Sequence, residues 1–125
     1  MQPAKAATDI AGMLHFQKLD VYQRAIEFLT VANRIRGRLP KGNADLADQL
    51  RRASQSIPQN IAEGCGRTAR ADKAKHYTIA GGSAMECAAH LDVMKLDELL
   101  ESESYERGVD LLERIVAMLT KLIDP

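Results

Sequence analysis

The sequence predicts an all-α fold: an antiparallel up-down four-helix bundle that assembles into a cyclic homo-oligomer. Apolar residues recur at steps of three and four along four long stretches, which is the spacing of an amphipathic helix. Short segments rich in Pro, Gly, Asn or Ser separate these stretches, and short connections favour antiparallel neighbours. Aromatic residues make up only 4% of the 125-residue chain and Trp is absent, which favours helices packed through Ala and Leu over a β-sandwich.

The pattern divides the chain into two regions. We expect residues 1–15 to be an Ala-rich, weakly helical N-terminal extension, in which Thr8 or Asp9 can cap a short helix. Residues 16–125 are predicted to form the four-helix bundle. A chain of this length is typical of one domain with a substantial hydrophobic core.

The first long helix is predicted to begin at Asp20, which is a favourable N-cap residue, and to end near Arg38. Residues 39–43 then predict a turn. Pro40 disfavours helical backbone at the residue before it, and Gly42 tolerates a positive φ.

The second helix is predicted from about Ala44 to Gly66, with an apolar stripe beside a polar one. Pro58 lies inside it and removes one backbone hydrogen bond, so we expect a single helix that bends between Ser54 and Pro58. The members of the polar stripe follow one another at helical spacing: Arg52, Ser56, Asn60, Glu63 and Arg67.

The third helix is predicted from about Ala71 to Leu96, and it contains two adjacent glycines. Each glycine costs about 1 kcal/mol relative to Ala inside a helix. Such a cost is usually offset where another backbone approaches closely. We therefore expect Gly81-Gly82-Ser83 to be a contact point between helices, opposite Gly64.

The fourth helix is predicted to begin at Ser102 or Ser104 and to end near Ile123. It has two apolar seams side by side, one beginning at Tyr105 and the other at Leu111. A helix that is apolar over so wide an arc needs two packing partners, more than a single bundle supplies. The apolar surface that remains uncovered on this helix predicts that identical subunits pack against each other.

Charge is balanced overall but unevenly distributed. The 17 basic and 17 acidic residues cancel, so net charge alone predicts no nucleic-acid partner. Residues 49–75 contain six basic and two acidic residues, whereas residues 92–125 contain nine acidic and four basic residues. Two interpretations remain open: two solvated helix faces of opposite sign, or a polarised molecule that binds a polyanion or docks head to tail.

Cysteine content and hydropathy predict the compartment. Two cysteines do not form a secreted disulfide framework, which favours a reducing cytoplasm. The N-terminal residues lack the apolar centre of a signal peptide, and no apolar run approaches the length of a membrane span. We expect a cytoplasmic protein without a membrane partner.

Several short motifs between Phe16 and Ile123 together form a recognisable pattern. They are Phe16, Leu19-Asp20-Val21, Tyr22-Gln23-Arg24-Ala25, Gln49-Leu50-Arg51-Arg52-Ala53, Ser56-Ile57, Asn60-Ile61-Ala62-Glu63-Gly64, Gly66-Arg67, Tyr77, Gly82-Ser83 and Glu86. This pattern resembles the bacterial four-helix-bundle family encoded in intervening sequences of 23S rRNA genes. The resemblance implies a bundle that forms a ring, commonly a pentamer, with no established enzymatic activity. A related accessory variability protein of diversity-generating retroelements is strongly basic and works with nucleic acid, whereas this chain is neutral.

The motifs define a polar patch with two open interpretations; its members are Asn60, Glu63, Arg67, Ser83 and Glu86. In the first interpretation the patch binds a ligand: Arg52 and Arg67 meet phosphates and Asn60 contacts a base edge. In the second it is structural: Glu63 pairs with Arg67 four residues later, and Asn60 caps or crosslinks a neighbouring helix.

A basic surface on the second and third helices is the candidate for nucleic-acid binding. Repetition around a ring would strengthen a modest basic surface toward a polyanion. The candidate residues are Arg51, Arg52, Arg67, Arg70, Lys73 and Lys75.

Catalytic and metal signals are weak. Cys65, His76, Cys87 and His90 lack the paired spacing of a zinc site, and the Glu-x-x-His pair of di-iron bundles is absent from the sequence. Cys65 ends a helix, so no helix dipole activates its thiol. We expect no catalytic residue, no metal and no cofactor, and hence no enzyme.

These observations predict a non-catalytic binding or scaffold protein that self-assembles, and the family resemblance implies that the assembly is a homopentamer. Its partner is predicted to be nucleic acid, bound through the basic surface. The alternative is a protein–protein interaction adaptor without a nucleic-acid role.

Overall fold

The computed structural model describes residues 14–125, and within them all regular structure is helical, with no strand. The predicted all-α class with four long helices is therefore confirmed. The predicted N-terminal extension at residues 1–15 lies almost wholly outside the described residues. A 3₁₀ turn at His15–Lys18 precedes the four helices, which are α1 (Asp20–Gly37), α2 (Ala44–Cys65), α3 (Arg70–Leu96) and α4 (Ser102–Ile123).

Helix α1 begins one position earlier than predicted. Leu19 has extended backbone and is the N-cap, while Asp20 is already the first helical residue and makes no side-chain cap. The connection to α2 is a turn in which Gly42 has a φ of 94°. Asn43 then stabilises the turn, because its side-chain amide donates to the Pro40 carbonyl oxygen at 3.0 Å.

Helix α2 continues through Pro58 without interruption, so the predicted single helix is found. Helix α3 ends in a Schellman motif: the Leu99 amide donates to the Met94 carbonyl oxygen at 2.8 Å, and the Glu98 amide donates to the Lys95 carbonyl oxygen at 3.1 Å. Glu98 has a φ of 56°, a position that favours glycine.

The core lies between the four helices. Each helix packs against the next in the chain, and α1 also packs against α4. Polar contacts reinforce these pairs: Tyr105 on α4 donates to Asp92 on α3 at 2.6 Å, and Arg107 on α4 pairs with Glu27 on α1. The largest fully buried side chains include Phe28, Leu50, Ile57, Ile61, Leu91, Met94, Leu111, Ile115 and Leu119.

The glycines are arranged differently from the prediction. A Cβ atom at Gly64 would lie 2.5 Å from Tyr77 Cε1, so Gly64 accommodates the Tyr77 ring and does not face Gly81. A Cβ atom at Gly81 or Gly82 would have no described neighbour within 4 Å. The predicted contact between these glycines and Gly64 is therefore wrong, because the bulk of Tyr77 occupies that position.

No helix within residues 14–125 combines the length and the apolar character that a membrane span requires.

Candidate functional site

A line of hydrogen bonds joins α2 to α3. Ser83 on α3 donates its hydroxyl to Ser56 Oγ on α2 at 2.8 Å. Asn60 donates its amide to the Ser56 carbonyl oxygen at 2.9 Å and to Ser56 Oγ at 3.1 Å. His76 Nδ1 lies 3.2 Å from Asn60 Oδ1. We call these four half-buried residues the cross-helix network.

The network determines which nitrogen of His76 holds a proton. The Ser56 carbonyl oxygen only accepts hydrogen bonds, so the Asn60 amide nitrogen must face it. Asn60 Oδ1 then faces His76 and only accepts, which assigns a proton to His76 Nδ1. In the neutral imidazole, His76 Nε2 is left as an acceptor without a partner among the described residues.

The structure brings part of the predicted polar patch together. Asn60 and Ser83 meet through Ser56, as part of one network. Glu63 and Arg67 instead pair with each other at 3.5 Å, with about half of each side chain exposed.

The remaining patch residue lies outside the network. Glu86 pairs with His90 on its own helix at 3.1 Å.

His76 completes the network although it was not predicted as a patch residue. Its spacing from Ser83, seven residues along the same helix face, was the signal available in the sequence.

Three of the six predicted basic residues form ion pairs within the chain, with two carboxylates between them. Arg51 and Arg52 both bind Asp48, at 2.7 Å and 2.6 Å. The Arg51 hydrogen bond, followed by that of Arg52, holds the pKa of Asp48 below its ordinary value, so the carboxylate stays ionised at more acidic pH than an isolated aspartate does. Arg67 is paired with Glu63. Asp48 was not among the predicted site residues, although it precedes Arg52 by the four residues typical of a helical ion pair.

Lys73 has a structural role at the end of α2. Its ammonium nitrogen lies 3.3 Å from the carbonyl oxygens of both Gly64 and Cys65, where a cation caps unpaired carbonyls and complements the helix dipole. Of the predicted basic residues, Arg70 and Lys75 are exposed and form no ion pair or hydrogen bond with residues 14–125.

The two cysteines are free and lie in different surroundings. Cys65 Sγ is 3.5 Å from the Tyr77 hydroxyl. Burial, with a contribution from the Glu86 charge, raises the pKa of the Cys87 thiol to about 12. Burial and the Cys65 hydrogen bond raise the pKa of Tyr77 as well. Within residues 14–125, no three His, Cys, Asp or Glu side chains group closely enough to hold a metal ion.

The fold and the site together define a four-helix-bundle protein with a polar network across its second and third helices. The chain belongs to the 23S rRNA-intervening sequence protein family, which matches residues 17–121. This confirms the resemblance found in the sequence motifs.

One solved structure with the same fold is a protein of unknown function of the S23 ribosomal protein family from Bacteroides thetaiotaomicron. It is 24% identical to this chain, with a TM-score of 0.78 over 84% of this chain and 99% of that one. The likeness establishes the fold alone. No curated protein matches this chain significantly.

Proposed function

We propose that this chain is a non-catalytic binding protein that acts as a homo-oligomeric scaffold. The observation that carries the proposal is the apolar surface on α3, where four large apolar side chains are between 42% and 81% exposed. Solvated helix faces are normally polar, so an apolar one favours a protein partner. These four side chains are Ile79, Met85, Val93 and Leu96.

The cross-helix network supports binding rather than catalysis. A nucleophilic serine needs a general base at its hydroxyl, but His76 bonds to the Asn60 amide oxygen instead. Ser56 accepts hydrogen bonds from both Asn60 and Ser83. We also place the protein in the cytoplasm, since both cysteines are free thiols.

We propose the up-down arrangement for the bundle. The bonds between α2 and α3 support it, because residues later in α3 meet residues earlier in α2. Ser83 bonds to Ser56, whereas Lys73, ten residues earlier than Ser83, bonds to Gly64. Connections of a few residues between successive helices favour the same arrangement elsewhere in the bundle.

The predicted assembly is a ring, a homopentamer by resemblance to the family. Light scattering coupled to size exclusion, on protein purified from cells, measures the subunit number and the ultraviolet absorbance ratio in one experiment. We expect a mass of several subunits. A folded monomer at a concentration of about 100 μM would contradict the proposal, because most biological interfaces are tighter than that.

Nucleic acid is the proposed ligand of the assembled scaffold. The supporting observation is that Arg70 and Lys75 are exposed cations without a partner among the described residues, at the start of α3. Two cations per subunit bind a polyanion weakly alone, but a ring multiplies them.

The test is RNA and DNA binding by the double variant Arg70→Ala/Lys75→Ala. Its matched control is Arg34→Ala/Lys41→Ala, which removes two other exposed cations. We expect binding to weaken at least about tenfold in the first variant only, because each phosphate contact adds to affinity. Equal losses in both variants, or no binding by the native protein, would instead favour the adaptor that recognises proteins.

A further inference from the structure

The cross-helix network ends at a hydrogen-bond acceptor without a partner, His76 Nε2. The bond to Asn60 assigns the ring proton to Nδ1, so Nε2 of the neutral ring can only accept. Arg24 Nε is the one buried side-chain nitrogen or oxygen without a hydrogen-bond partner in residues 14–125. His76 Nε2 also lacks a partner among these residues, and it is therefore open to solvent.

The other members of the network are occupied within the chain. The Asn60 amide nitrogen bonds to two oxygens of Ser56, and the Asn60 amide oxygen faces His76. Ser56 Oγ also accepts a hydrogen bond from Ser83. A base contact at Asn60, as the sequence suggested, would have to compete with these bonds, whereas a contact at His76 Nε2 breaks none of them.

The network fixes the direction of this acceptor. His76 is half-buried, and its ring is tied to another helix through Asn60, so Nδ1 is held and Nε2 points away from that bond. His90 on the same helix is different, because its Nε2 already lies 3.1 Å from the Glu86 carboxylate. Of the two α3 histidines, His76 is therefore the one with a preoriented nitrogen free to bind another molecule.

Two exposed charged residues lie close to His76 on α3. Lys75 precedes it by one residue and Asp72 by four, and neither forms an ion pair or hydrogen bond with residues 14–125. Residues four apart share a helix face, so the Asp72 carboxylate adds a second acceptor on the side of His76. Two acceptors beside an ammonium group suit a ligand that combines an uncharged hydrogen-bond donor with a negative charge. A nucleotide has both, in the amino group of its base and in its phosphate.

We propose that His76 Nε2 accepts a hydrogen bond from the exocyclic amino group of an unpaired nucleobase, while Lys75 contacts the phosphate backbone. This inference rests on the proposed nucleic-acid binding and adds the chemical group that is recognised. Adenine, cytosine and guanine have such an amino group, whereas uracil does not. The base must be unpaired, because pairing engages the amino group and the major groove of an RNA duplex does not admit side chains.

The experiment compares two labelled RNA oligomers of equal length by fluorescence anisotropy, at about pH 8, where imidazoles are ordinarily neutral. One is oligoadenylate, and in the other every adenine is replaced by purine, which lacks only the amino group. We expect the native protein to bind oligoadenylate about three- to tenfold more tightly, which is the effect of one hydrogen bond.

The same comparison in His76→Phe removes the acceptor from the protein. We expect the preference to fall below about twofold, because a phenyl ring cannot accept this hydrogen bond. His90→Phe is the matched control and should keep the full preference, since Glu86 already engages His90 Nε2. A variant that is only partly folded binds both RNAs less, so the ratio of the two affinities still reports the contact.

Salt dependence separates the acceptor from the cations. His76→Phe should leave the slope of log Kd against log salt concentration unchanged, because a neutral imidazole releases no counterion. Arg70→Ala/Lys75→Ala should reduce that slope by about one or more. A reduced slope in His76→Phe would mean that His76 binds as a cation, which overturns its assignment as an acceptor.

The outcomes distinguish this inference from the proposed function. A native protein that binds neither RNA contradicts both. Equal affinity of the native protein for the two RNAs, or a preference that survives in His76→Phe, contradicts only the amino contact, and nucleic-acid binding stands. An equal loss of preference in His76→Phe and His90→Phe also overturns the contact, because the effect would then belong to α3 as a whole.

Discussion

At the scale of single residues, Gly64 is the described glycine at which an added Cβ atom would lie closest to a neighbouring side chain. Its missing Cβ leaves room for Tyr77, whose ring is 6% exposed and whose hydroxyl lies 3.5 Å from Cys65 Sγ. Because Tyr77 is buried and its hydroxyl contacts Cys65, the ring cannot easily move away. We expect Gly64→Ala to lower the free energy of unfolding by about 1–3 kcal/mol, measured by urea denaturation.

The control for this prediction is Gly66→Ala, two residues further along. A Cβ atom there would lie 3.6 Å from the nearest atom, the Glu63 carbonyl oxygen, which is an ordinary contact. We expect a change below about 0.5 kcal/mol. Equal stability of the two variants would show that the Tyr77 ring adjusts freely.

Cys87 links stability to alkaline pH. Its thiol has a pKa of about 12 in the fold against 9.0 in the unfolded chain, mainly because of burial. Below pH 9 the thiol keeps its proton in both states, so it does not lower the free energy of unfolding. As pH rises from 9 toward 12 the free energy of unfolding falls, because the unfolded chain releases this proton first. Unfolding free energies measured from pH 8 to 10.5 should fall more steeply for the native protein than for Cys87→Ala, by up to about 1.4 kcal/mol per pH unit. Parallel slopes would disprove this contribution.

At the scale of helices, the cross-helix network and the neighbouring ion pair differ in their expected energies. Asn60 joins Ser56 to His76 through half-buried hydrogen bonds. Asn60→Ala should therefore cost about 1–3 kcal/mol, since it leaves His76 Nδ1 without its acceptor. Glu63→Ala should cost less than about 0.5 kcal/mol, because the Glu63–Arg67 pair is solvent-exposed. Thermal unfolding of both variants checks the order, and a larger loss for Glu63→Ala would contradict it.

The end of α3 offers the opposite test, a substitution that stabilises. Glu98 holds a φ of 56° in the Schellman motif, where a Cβ atom is strained. Glu98→Gly removes that strain and should raise stability by about 0.5–1 kcal/mol. Asp97→Gly is the control, because Asp97 has a φ of −83° and gains nothing from glycine. Loss of stability in Glu98→Gly, measured by urea denaturation, would mean that the Glu98 side chain contributes more than the strain costs.

At the scale of the whole molecule, the sequence predicted the helices well because their signals are local. Periodicity located four helices, and Pro40 with Gly42 located the first turn. The residues that meet between α2 and α3 could not be predicted, because they depend on how the side chains fit across the two helices. Tyr77 took the space beside Gly64 that was assigned to Gly81, and Asp48 formed ion pairs with two arginines of the basic surface.

Salt separates the two kinds of contact proposed for the whole molecule. Self-assembly through the proposed apolar surface on α3 should resist salt, because raising NaCl from 0.1 M to about 1 M screens exposed charges while leaving apolar burial intact. Nucleic-acid binding through Arg70 and Lys75 depends on the release of counterions and weakens steeply over the same range. We expect light scattering to give the same oligomer mass at both salt concentrations, while fluorescence anisotropy of a labelled RNA falls to the unbound value. An oligomer that dissociates in salt together with the RNA would mean that opposite charges, rather than the exposed apolar side chains of α3, hold the subunits together. The chain has the unevenly distributed charge that such an assembly would need, with an excess of basic residues between 49 and 75 and of acidic residues between 92 and 125.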